Sequence, residues 1–107
     1  STSTNGIVFY GICLPDGFCY KNEDFLIEES KDFGIEMDYH CTYDYKMWFL
    51  CISERKVKCY RGYPEKISTS ATKEEIENWN ERLFKFCEKY KISYTEPDWW
   101  LVSFWGI

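Results

Sequence analysis

The chain predicts an α+β fold: an antiparallel sheet carrying two helices on one face, in the ferredoxin-like β-α-β-β-α-β order with extra short strands. Three observations lead there. Residues 35–43 alternate strictly, with Ile35, Met37, Tyr39, Cys41 and Tyr43 on one side and Glu36, Asp38, His40 and Thr42 on the other. That is the period of a half-buried strand. Thr72-Lys73-Glu74-Glu75 reads as a capping box that opens a helix. Residues 7–14 and 47–53 are apolar on both faces, as central strands of a covered sheet can be.

The elements follow in order. Residues 1–6 (Ser-Thr-Ser-Thr-Asn-Gly) read as a disordered lead, and residues 7–107 as one domain. Residues 7–14 form the first strand. Pro15-Asp16-Gly17 turns the chain into a short strand over 18–21. Asn22 is a fitting N-cap, Glu23 and Asp24 suit the positive end of a helix, and Gly34 suits its stop, so 23–32 is helical. The amphipathic strand 34–43 follows as a sheet edge, its charges turned outward. Strand 47–53 comes next, then a weaker strand over 57–61 and a loop over 62–71 containing Gly62 and Pro64. The helix after Thr72 lines up Ile76, Trp79, Leu83, Phe86, Cys87 and Tyr90 on one face. After Pro97, residues 99–105 close the chain as a strand apolar on both faces.

Size and charge narrow the function classes. In 107 residues there are 5 Trp, 9 Tyr and 8 Phe, each able to bury roughly 150–250 Å². That is more than one small core needs, so some aromatics lie on the surface, where they mark contacts. The net charge of −5 is unevenly spread. Residues 22–45 hold eight acids against Lys31 alone, and residues 46–66 hold six bases against Glu54 and Glu65. A pI near 4.9 argues against direct nucleic-acid binding as the main activity. The longest apolar run, Met47 to Ile52, is far below the ~18 residues a membrane helix needs.

The six cysteines admit two readings. Cys41 on the dry face of its strand, Cys59 beside Val57 and Cys87 four residues after Leu83 fit small buried hydrophobes, and hence a reduced, cytoplasmic protein. The alternative is a secreted, disulfide-stabilised effector or ligand. Cys13 and Cys19, brought opposite each other by the Pro-Asp-Gly turn, are then the first bridge to expect.

No catalytic, cofactor or metal motif stands out, and no residue is assigned to those roles. The single histidine, His40, points away from Cys41 if the strand alternates, which separates the nearest thiol from the imidazole. A small thiol/His enzyme is therefore the least favoured reading. With both helices on one face, the other sheet face would show Tyr10, Ile12, Trp48, Leu50, Trp100 and Phe104. Such a patch suits a partner protein or a second copy of the chain.

The C-terminal third carries one resemblance. Asn78-Trp79-Asn80 to Phe86-Cys87, then Pro97-Asp98-Trp99-Trp100-Leu101-Val102-Ser103-Phe104-Trp105-Gly106, resembles the ends of small tailed-phage proteins, over about a quarter of the chain. The resemblance implies a viral, anti-defence protein that works by binding a host protein or protein complex in the bacterial cytoplasm. The acidic segment would then imitate nucleic-acid phosphates before a host nuclease. The expected partner-binding residues are Glu28, Glu29, Asp32, Glu36, Asp38, Trp48, Trp100 and Phe104.

Overall fold

The computed structural model describes residues 4–41 and 45–103. Strand β1 (Thr4–Cys13) leads to helix α1 (Glu23–Lys31), strands β2 (Ile35–Cys41) and β3 (Lys46–Tyr60), helix α2 (Lys73–Tyr90) and strand β4 (Asp98–Ser103). The strands form one antiparallel sheet in the order β2-β3-β1-β4. The first and third strands are therefore central and the second and fourth are edges, as the α+β reading requires. Phe104, expected at a partner-binding face, lies outside the described residues.

Local signals set the helices. The Asn22 side chain accepts from the Phe25 amide at 3.1 Å, and Gly34 (φ +71°) makes the left-handed turn into β2. Thr72 and Glu75 exchange both capping-box bonds, at 2.9 and 3.1 Å. The buried face of α2 is Trp79, Leu83, Phe86 and Cys87, with Ile76 and Tyr90 packed beside it.

The strands differ from expectation in three places. β1 starts at Thr4, inside the expected lead, because Thr4 to Phe9 pair with the long end of β3. Residues 18–21 form no strand: after the turn closed by Phe18 N–H donating to Pro15 O at 3.0 Å, Phe18 and Tyr20 pack against the helix-side core instead. The expected short strand 57–61 is continuous with β3.

β3 is where the sheet departs from a regular ferredoxin-like one. Phe9 pairs with Lys56 and Gly11 with Cys51, so Tyr10 alone faces Ile52 to Arg55. This wide bulge shifts the side-chain parity of β3: Trp48, Leu50 and Ile52 face the helices before it, and Val57, paired with Val8, faces them after it. Glu54, in the bulge, accepts two hydrogen bonds from Arg82 of α2 at 2.9 and 3.1 Å, and Arg82 also donates to Gly34 O at 3.1 Å.

Two cores result. The larger lies between sheet and helices and contains Tyr10, Ile12, Trp48 and Leu50 with α1 and α2. The smaller, on the other face, consists of strand residues alone: Ile7, Phe9, Phe49, Cys51 and Val102, with Cys13 packed against them. Phe9 and Phe49 stack there with centroids 4.4 Å apart. The expected content of the helix-free face is corrected accordingly: Tyr10, Ile12, Trp48 and Leu50 belong to the helix side. Trp100, paired with Phe9 across β1 and β4, does lie on the helix-free face, where its Nε1–H donates to Gly11 O at 2.9 Å.

Candidate binding site at the α1–β2 edge

The residues expected to bind a partner divide between the two sides of the sheet. Trp48 is 3% exposed, packed on Tyr39 at 5.2 Å and under the Lys46 ammonium at 5.4 Å. It is a core residue and presents no surface. Trp100 is 39% exposed on the helix-free face, away from the acidic residues of β2 at the other edge of the sheet.

The acidic residues gather around one edge. β2 is the outermost strand, and α1 packs beside it, so the chain from Glu28 to Asp38 wraps the same rim. A groove of about 440 Å³ runs there, lined by Ile27, Ser30 and Lys31 of α1 and by Glu36, Met37, Asp38 and Tyr39 of β2, with Ser53 at its end. Ile27 gives it an apolar wall and the buried Met37 lies behind it, while the Glu36 and Asp38 side chains turn to the helix-free face of the same edge, toward Lys56 and Cys51.

Each carboxylate has a distinct situation. Glu36 reaches across the sheet to the Lys56 ammonium in a close ion pair. Burial works against the charge on Lys56, but the hydrogen bond it donates to Glu36 and the neighbouring Cys51, Glu36 and Asp38 outweigh it and raise its pKa. Beneath the pair, burial pushes the Cys51 thiol up to about 12, against the pull of Lys56. Glu29 accepts from the Tyr90 hydroxyl at 2.6 Å, a bond that pushes the tyrosine up to about 12. Glu29 and Glu36 are therefore bound to other elements of the fold. Glu28 has only an exposed contact with Lys31 at 3.4 Å. Asp38 accepts from the adjacent Tyr39 amide at 2.8 Å. Asp32, at the C-cap of α1, uses only its backbone there. Glu28, Asp32 and Asp38 thus keep carboxylate oxygens available to a partner.

The end of β2 breaks the alternation read from the sequence. Cys41 has φ +73°, and its Sγ lies 3.4 Å from His40 Nδ1. The expected separation of thiol and imidazole is thereby corrected: a left-handed residue ends the strand and turns the two side chains together. His40 sits over Phe49 with centroids 6.3 Å apart, and burial lowers its pKa from the usual value. Nothing in the residue pattern signals this left-handed cysteine. The groove is similarly invisible in sequence, although its acids are not.

The six cysteines are free thiols in this structure. Among the described residues, no three His, Cys, Asp or Glu side chains are grouped to hold a metal ion. No helix among them is long and apolar enough to cross a membrane. No protein-family model, curated protein or solved structure matches the chain.

Proposed function

We propose that this chain is a non-enzymatic binding factor that presents the acidic α1–β2 edge to a host protein or protein complex. The observation that carries the reading is the groove itself. Glu36 and Asp38 belong to a strand that borders a cleft of about 440 Å³, on a sheet edge unpaired among the described residues, and Glu28 on the adjoining helix and Asp32 at its C-cap stand exposed. Carboxylates along an edge that borders a cleft suit a basic protein surface, with charge steering the encounter and Ile27 supplying apolar contact. Together with the tailed-phage resemblance of the C-terminal third, this supports a phage-encoded inhibitor of a host nuclease or defence complex, working in the bacterial cytoplasm. Fully buried Cys51 and Cys87 support the reduced compartment, since both serve as core residues. Purified nuclease or defence complex, assayed with and without the chain, tests the inhibitor reading. Inhibition that vanishes when Glu28, Asp32 and Asp38 are charge-reversed supports it, and undiminished inhibition by that variant contradicts it.

A second reading rests on the 3.4 Å contact of Cys41 with His40. A neutral imidazole beside a thiol can take its proton and activate the sulfur as a nucleophile. Alkylation rates compared between the chain and His40→Ala test it: the same Cys41 rate in both would remove this reading.

A further inference from the structure

The two edges of the sheet are unpaired among the described residues, and they differ in kind. Charges guard β2: Glu36 and Asp38 lie along it, and Lys56 is drawn across to Glu36. Natural sheets use such charges to keep edges from pairing. Between Trp99 and Ser103, β4 has no charge and no proline. Leu101 on this strand is 78% exposed and Trp100 is 39% exposed. An edge strand in an antiparallel sheet also turns alternate backbone N–H and C=O groups outward, ready to pair. On the helix side, Leu101 continues into a row with Val8 and Val57. These two strand residues line a second groove of about 210 Å³ together with Ile67 and Trp99, and with Glu54, Arg55, Lys56 and Ser68 toward β3 and the loop beyond it. No helix residue lines this groove, so the row reaches an edge whose described residues carry one charge, Asp98 at its start, while the Arg55 guanidinium stays inboard over Trp99 at 5.0 Å.

We propose that β4 is a dimerisation edge, pairing antiparallel with β4 of a second copy of this chain. A second copy is the occupant that the charges favour. A twofold axis perpendicular to the sheet keeps both helix layers on one side, so paired residues share a face. With the register centred on Leu101, Leu101 meets its own copy, Trp100 meets Val102 and Trp99 meets Ser103. Every pair is neutral, and no like charges oppose. Pairing of β4 with β2 instead would set Trp100 and Leu101 against the carboxylate-bearing edge. It would also leave one free edge on each copy and build an open filament rather than a closed dimer. The β4 dimer joins two four-stranded sheets into a continuous one. It leaves the α1–β2 groove open at both outer ends, so it is independent of the binding role given to that groove.

Sedimentation velocity on the full chain, from low to high micromolar, tests the pairing. The expected result is a dimer at the upper end. Leu101→Lys sets two ammonium groups face to face on the axis and weakens the dimer by at least about tenfold, or 1.4 kcal/mol. A chain that stays monomeric throughout overturns the proposal, as does a dimer that Leu101→Lys leaves unchanged. Hydrogen exchange on the unmodified chain decides the matter even if that variant misfolds. Residues 98–103 exchange more slowly as concentration rises, while 35–41 do not; protection of 35–41 instead, or of neither segment, overturns the proposal.

Discussion

Gly11 of β1 passes so close to Leu50 of β3 that a Cβ on it would stand 1.9 Å from the Leu50 carbonyl oxygen and 2.8 Å from Cys51 Cα. The close approach follows from the bulge, which ends where Gly11 meets Cys51. Leu50 and Cys51 are fully buried on opposite faces, so the backbone has no room to retreat. Gly11→Ala should therefore destabilise the fold by about 3 kcal/mol or more, measured as a lower urea midpoint. Gly17→Ala is the comparison. Its Cβ would meet nothing within 4 Å, and only the φ of +85° penalises it, by about 1–2 kcal/mol.

Thr72→Ala removes one half of the α2 capping box and should cost about 1 kcal/mol. The substitution leaves the buried face of α2 intact. Urea unfolding should show a lower midpoint with an unchanged slope.

These local devices were legible in the sequence, and the reason is physical. A cap, a turn glycine or an amphipathic helix is specified by residues within one or two turns of each other. Asn22, Gly34 and Thr72 could therefore be read directly. The parity of β1 and β3 could not be read, because both strands are apolar on both faces and alternation then carries no sign. The bulge at Ile52–Arg55 adds a second obstacle by reversing the parity of β3 midway. The acids of the candidate site were visible as composition. Their division into those tied to the fold and those left available depended on Lys56 and Tyr90, respectively 20 and 61 residues away in sequence.

The Lys56–Glu36 pair lies over Cys51 with little of Lys56 exposed. Glu36→Gln leaves that ammonium half-buried without its carboxylate. A fully buried pair broken this way costs about 3–5 kcal/mol, and partial exposure of Glu36 reduces the expectation to about 1–2 kcal/mol. The pH dependence has a definite sign. Lys56 has its pKa raised in the folded chain, so its contribution is full below the unfolded value and is lost as pH rises through the folded one. Glu36→Gln should lose less stability than the parent in that alkaline range, read from urea midpoints across it.

His40 gives the opposite sign at the acid end. Burial lowers its pKa below 6.5 in the fold, so the unfolded chain takes up the proton first. Stability should fall as pH drops from about 6.5 through the folded value. His40→Gln should flatten that part of the profile. As the only histidine in the chain, it can be followed by NMR without ambiguity. A midpoint at or above 6.5 would contradict the burial of the imidazole.

The proposal that the acidic α1–β2 edge meets the partner separates cleanly from one that places the partner on the β4 side. The most direct test is capture of proteins from a bacterial lysate by three immobilised chains: the parent, Glu28→Lys/Asp32→Lys/Asp38→Lys, and Trp100→Ala. The substituted carboxylates hold no other element of the fold, so circular dichroism should match the parent. The expected result is a defined protein retained by the parent and by Trp100→Ala and lost with the charge-reversed chain. Retention by the charge-reversed chain, or loss with Trp100→Ala alone, would contradict it.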